Sequence, residues 1–182
     1  SHYLMDISPG GGSNLPDDDD FAEHLIFVTS GVGKIKINGV SYPLGSGSYI
    51  YLPPKTDWSL INDSRKQFIF HWLRKRYQKV SGVNAPPILV TSDSAVEPIE
   101  MPGSDGNWLT SRFVSADDIA HDMHVNIVTF KPGGTIPFAE THVMEHGLYV
   151  LCGTASYRFN SDVINVEAGD YAWLRAFCPQ CC

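Results

Sequence analysis

The stretch GTIPFAETHVMEHGLYVLCG, residues 134–153, decides how this chain is read. Five residues separate Gly134 from Glu140, one separates Glu140 from His142, three separate His142 from His146, and six separate His146 from Gly153. Side chains on a strand alternate between faces, so Glu140 and His142 share one face. His146 keeps the even spacing and can return to that face along the strand or across a bend. Two imidazoles and a carboxylate converging on one interior form a natural site for a divalent metal. Taken singly, His142 or His146 would read as a hydrogen-bonded core or surface histidine. The set at this spacing carries the metal reading. Glu145, at odd spacing, is expected to face away, and His121 and His124 read as structural residues at the start of a strand.

A second stretch begins at Gly169, with Arg175 six residues on and Gln180 five after that. Alone, Gln180 would be a polar loop residue. The two stretches together resemble the two-part cupin motif, with Glu and His exchanged in order in the first half and Gln180 where the last histidine usually stands. The predicted ligand set is therefore Glu140, His142, His146 and Gln180.

Outward from these stretches the chain repeats itself at an offset of 122. Glu23-His24 falls on Glu145-His146, Gly31 on Gly153, Asn38 on Asn160, Gly47 on Gly169, Tyr49 on Tyr171 and Leu52 on Leu174. Runs rich in β-branched and aromatic residues occupy Glu23–Val28, Gly33–Ile37, Tyr49–Leu52 and Gln67–Leu73 in the first copy. Val125–Phe130, Leu148–Leu151, Ser156–Phe159 and Tyr171–Leu174 follow in the second. Asn38-Gly39, Pro132-Gly133-Gly134 and Gly169-Asp170 punctuate them as turns. Ser115 ahead of Asp117-Asp118 resembles an N-cap, so one helical turn is expected over Ser115–Ile119. With the cupin resemblance, the expected fold is all-β, a bicupin of two tandem double-stranded β-helix (jelly-roll) barrels. The expected division is an N-terminal barrel over 1–80 serving as a metal-free scaffold, a linker over 81–98, and a metal-binding barrel over 99–182. Further strands are expected after Cys182, and Ser1-His2 reads as a cut start.

The first copy is an internal control. At the same spacing from Gly12 it offers Asp18, Asp20 and His24, but the fourth position is Trp58, which cannot ligate and would fill the barrel. Asp17–Asp20 also reads as a solvated acidic loop.

The rest of the composition bounds function. With 13 basic and 20 acidic residues the net charge is −7, and such a chain is repelled by phosphate backbones. Arg74-Lys75-Arg76-Tyr77 reads as a solvated strand end, so no nucleic-acid partner is expected. No apolar run reaches the length of a membrane span, and no secretory signal opens the chain. Three of the four cysteines (Cys178, Cys181, Cys182) crowd the last five positions, a poor layout for a disulfide framework. Cys178-x-x-Cys181 has no second pair to complete a zinc site. A reduced, cytoplasmic protein is expected.

The stretch Phe138–Gly147, together with Cys178-Pro179-Gln180, resembles the (S)-ureidoglycine aminohydrolase family, bicupin proteins once called glyoxylate-induced proteins. His121–Asn126 and Phe70-His71-Trp72 extend the likeness, which spans nearly the whole chain. The resemblance implies manganese held by Glu140, His142, His146 and Gln180. It also implies hydrolysis of (S)-ureidoglycine to (S)-ureidoglycolate and ammonia in purine (allantoin) catabolism. Glu140 is expected to contact the substrate amine and to move its proton, and Gln180 to border the substrate. The family's substrate-contacting Tyr and Lys follow the Gln ligand, beyond Cys182, and are not assigned. Donors of N2O2 character suit Mn²⁺. Two other readings stand beside this one: an oxalate-decarboxylase-like or dioxygenase cupin, disfavoured by Glu in the first slot and Gln in the last, and a non-catalytic cupin holding a small carboxylate. A homo-oligomer is expected.

Overall fold

The structure, a computed structural model, describes all 182 residues, Ser1–Cys182. It contains strands and a single 3-10 turn, Asp93–Ala95. The expected helical turn at Ser115–Ile119 does not form. Ser115 Oγ accepts from the Asp117 amide at 3.3 Å, and its carbonyl accepts from the Asp118 amide at 3.2 Å. The side chain closes a local turn, which competes with a helix start.

The chain divides into two compact units. Unit 1 comprises Ser1–Glu97 with Ser111–Ile127, and unit 2 comprises Pro98–Thr110 with Val128–Cys182. Nine strands form before residue 97: β1 (His2–Ile7), β2 (Gly12–Ser13), β3 (Ala22–Ser30), β4 (Val32–Ile37), β5 (Val40–Gly45), β6 (Ser48–Leu52), β7 (Trp58–Ile61), β8 (Phe68–Arg76) and β9 (Leu89–Ser92). They build a five-stranded sheet, β1-β8-β3-β6-β9, and a four-stranded sheet, β2-β7-β4-β5. Ile26, Val28, Ile50, Leu52, Phe68 and Phe70 of the first sheet pack with Ile35, Ile37, Trp58 and Leu60 of the second.

The other face of β3 and β6 presents Leu25, Phe27, Tyr49 and Tyr51, packed with Phe113, Met123, Val125 and Ile127. Tyr49 stacks flat on Phe113 at 4.1 Å. Both faces of β3 are thus buried, so it reads as a continuous apolar run. This cover explains why Ser111–Ile127 belongs with unit 1, although the sequence placed it in the second domain. The stretch 81–98, expected as a linker, is also partly sheet, because β9 pairs with β6 from Tyr51↔Leu89 to Ser48↔Ser92.

The remaining strands are β10 (Ile99–Glu100), β11 (Trp108–Arg112), β12 (Asn126–Phe130), β13 (His146–Tyr149), β14 (Thr154–Phe159), β15 (Asp162–Glu167), β16 (Tyr171–Leu174) and β17 (Gln180–Cys181). The strand expected over Leu148–Leu151 begins at His146 instead. Strand pairing repeats at the offset read from the sequence. His24↔Leu52 in β3–β6 recurs as His146↔Leu174 in β13–β16. Ile37↔Val40 in the β4–β5 hairpin recurs as Phe159↔Asp162 in β14–β15, and Ile37↔Trp58 recurs as Phe159↔Gln180. The hairpin residues Asn38 and Asn160 both sit at positive φ, 48° and 55°, the left-handed geometry that asparagine tolerates best after glycine.

Candidate functional site

All four predicted ligands lie in unit 2. Glu140 and Gln180 are joined backbone to backbone: each amide donates to the other's carbonyl, at 2.8 and 2.9 Å, as an isolated antiparallel bridge. His142 lies just past this bridge and outside any strand. Its carbonyl accepts from the Phe177 amide at 2.7 Å, which ties it to the segment leading into β17. A bend at Val143–Met144 then turns the chain, and His146 opens β13. Glu140 and His142 are therefore not neighbours on one regular strand, and the even spacing is carried across a bend.

The side chains meet in pairs. Glu140 Oε2 is 3.7 Å from His142 Nε2. The rings of His142 and His146 meet edge to face, with centroids 4.7 Å apart. Gln180 is buried, and its Oε1 accepts from the Tyr157 hydroxyl at 3.3 Å. Burial first, then His142, lowers the pKa of His146, opposed by Glu140, so this imidazole is held neutral and able to ligate. No three His, Cys, Asp or Glu side chains close around one point as a finished cation cage. The donor types nevertheless fit a divalent cation: two imidazoles, a carboxylate and a carboxamide oxygen, on backbone already fixed by hydrogen bonds.

Tyr157 was not singled out from the sequence. The repeat held the signal, because its counterpart in the first copy is Ile35, a core residue with no exposure. A phenol at an inward position of a strand marks a polar interior. Glu145 faces away from the set and accepts from Trp173 Nε1 at 3.1 Å. The equivalent pair in unit 1 is the Tyr51 hydroxyl donating to Glu23 Oε2 at 3.0 Å.

The other residues weighed from the sequence serve structure. His121 meets the Tyr51 ring edge-on at 4.8 Å and His124 at 6.0 Å. Arg74 pairs with Asp17, Lys75 with Asp122 at 2.7 Å and Arg76 with Asp19 at 2.7 Å, so the basic run is neutralised within unit 1. All four cysteines are free thiols. No helix is long and apolar enough to cross a membrane.

The chain is similar to known proteins along nearly its whole length. The cupin-domain family matches residues 3–74. (S)-Ureidoglycine aminohydrolase of Escherichia coli K12 is 30% identical over 178 residues, covering 98% of this chain and 67% of that protein. The Arabidopsis thaliana (S)-ureidoglycine aminohydrolase is 31% identical over 179 residues, covering 98% of this chain and 57% of that protein. The chain thus spans between about half and two thirds of the length of its curated relatives. Among solved structures, a glyoxylate-induced protein from Pseudomonas aeruginosa matches with a TM-score of 0.94 at 50% identity, over 100% of this chain and 67% of that one. Oxalate decarboxylase of Bacillus subtilis matches with a TM-score of 0.72 at 13% identity, over 99% of this chain and 64% of that one, which shows a shared fold alone. With an all-β cupin-like fold and this identity along nearly its whole length, the chain belongs to the (S)-ureidoglycine aminohydrolase family.

Proposed function

We propose that this chain provides the metal side of an (S)-ureidoglycine aminohydrolase, with Glu140, His142, His146 and Gln180 as ligands of Mn²⁺. In this reading the C–N bond to the amino group breaks, a C–O bond from water forms, and ammonia leaves with (S)-ureidoglycolate as the other product. The observation that carries the reading is the Glu140–Gln180 bridge beside the His142–His146 ring pair. It brings together from distant sequence the donors that the family motif calls for. Curated relatives named for this activity support the same reaction.

Manganese, when bound, supplies Lewis-acid polarisation and a template for the substrate's oxygens. The chain's own residues do the rest. His142 and His146 present nitrogen donors. Glu140 carries a proton toward the departing amine, acting as a general acid–base group. Gln180 offers a fixed carboxamide oxygen at the substrate's edge, and the orientation it helps enforce lowers the entropic cost of reaction.

Each unit is read as one cupin barrel, because the strand ladders of the two share a register. The protein is read as a homo-oligomer of the cytoplasm acting in purine (allantoin) catabolism. The test is elemental analysis of the purified protein joined to an ammonia assay on (S)-ureidoglycine. Manganese near one per chain with ammonia release is expected. Bound manganese with no ammonia from this substrate would overturn the activity and leave a binding cupin.

A further inference from the structure

The two ring nitrogens of His24, in unit 1, are not equivalent. Trp72 Nε1 donates to His24 Nδ1 at 3.2 Å. An indole N–H only donates, so Nδ1 must offer its lone pair and the ring proton sits on Nε2. Burial lowers the pKa of His24 to about 4, so the ring stays neutral and keeps this tautomer at physiological pH. His24 is only 4% exposed, and its Nε2 has no partner in the protein. The ring lines a cavity of about 410 Å³, together with Trp58, Asp20, Asp57 and Lys55.

The charges at this cavity sort by partner. Asp17 and Asp19 are occupied by Arg74 and Arg76. Asp20 and Asp57 are exposed and make no ion pair, and Lys55 is the cation beside them.

Three ligand classes can be compared against this lining. A metal ion needs a lone pair on the imidazole, but Nε2 carries hydrogen. Moving that hydrogen to Nδ1 would set it against the indole N–H, donor to donor. An anion would meet Asp20 and Asp57. A small neutral molecule with a carbonyl oxygen beside N–H groups satisfies His24 Nε2–H and the free carboxylates of Asp20 and Asp57. We propose that this cavity binds a small uncharged amide or ureide, its carbonyl accepting from His24 Nε2–H and its N–H groups donating to Asp20 and Asp57. Trp58 forms the apolar wall, and the volume lies within the range of small-ligand pockets. The site is independent of the ligand set in unit 2.

The test is side-chain ¹⁵N NMR of the full chain, titrated with methylurea and separately with ZnCl2. His24 should show the Nε2–H pattern at the outset. Methylurea should shift that resonance saturably, and the double substitution Asp20→Asn with Asp57→Asn should weaken binding about tenfold, because charge-assisted acceptors are lost. Both positions are exposed, so folding is not at risk. A shift that never saturates overturns the proposal, as does an affinity unchanged by the double substitution. A shift of His24 Nε2 to a metal-bound nitrogen position on adding Zn²⁺, which is diamagnetic, overturns the tautomer on which it stands.

Discussion

The hydroxyl of Tyr157 donates to Oε1 of Gln180 at 3.3 Å. The carboxamide thereby turns its oxygen, not its NH2, to the phenol. The oxygen faces Tyr157 with one lone pair engaged and a second free for a cation. Burial above all raises the pKa of Tyr157 beyond its ordinary range, so the phenol remains a donor at any working pH.

Tyr157→Phe should therefore weaken manganese binding about tenfold, the usual effect of removing an outer-sphere partner. Manganese titration read by calorimetry checks this. An affinity equal to that of the unaltered protein would remove Tyr157 from the site.

Glu140→Ala and His146→Ala should each abolish ammonia release from (S)-ureidoglycine and lower the manganese retained after purification. Assay and elemental analysis on the same preparations read both effects. Full activity in a metal-free His146→Ala protein would sink the ligand assignment.

A third prediction concerns pH. Glu23 is fully buried, and burial first, then Asp122, raises its pKa to about 8 despite the Tyr51 donor and Lys75. Its Oε1 accepts no hydrogen bond and is free to carry the retained proton. The unfolded chain loses that proton near the ordinary carboxyl pKa, so the contribution of Glu23 is full below about 4.5 and gone above about 8. His24 and His71, each lowered to about 4 chiefly by burial, act in the opposite sense. Their contribution is full above about 6.5 and lost as pH falls through 4. Between about pH 6.5 and 8 Glu23 acts without them, and stability should fall by up to about 1.4 kcal/mol per pH unit. Glu23→Gln should flatten this limb in thermal melts taken at several pH values. An equal slope in both proteins would refute it.

Much of this was legible in the sequence, because turn residues and pairing registers share one offset. Gly47 and Gly169 both need positive φ, 85° and 97°, and each donates from its amide to a carbonyl at the equivalent place near the end of β3 or just past β13, Val28 or Val150. A position that demands such geometry is visible in one dimension. The cover supplied by Ser111–Ile127 was not visible, because Phe113 and Met123 lie in a stretch without strand period. Tyr157 escaped for a related reason: its neighbours Tyr157–Phe159 read as an aromatic strand, and only comparison with Ile35 marks the phenol as unusual.

Paired glycines provide a fourth test. Gly31 and Gly153 occupy equivalent turns with φ of 82° and 81°. A Cβ on Gly31 would lie 2.2 Å from the Gln67 carbonyl oxygen, whereas one on Gly153 meets nothing. Both alanine variants carry the backbone strain of roughly 1–2 kcal/mol. Gly31→Ala should additionally force β8 aside and lower the melting temperature well beyond Gly153→Ala. Equal losses would show that the β3–β8 edge yields freely at that point.

The shared register has an evolutionary consequence. At the offset of 122, Asp18, Asp20, His24 and Trp58 fall on Glu140, His142, His146 and Gln180, and Ile35 falls on Tyr157. The ladders that the two copies share set different side chains at matching places. Two indoles stand against the same donors in the first copy: Trp58 occupies the position of Gln180, and Trp72 consumes a lone pair of His24. Trp58 and Trp72 thus close the first copy to the donor set that the second copy keeps.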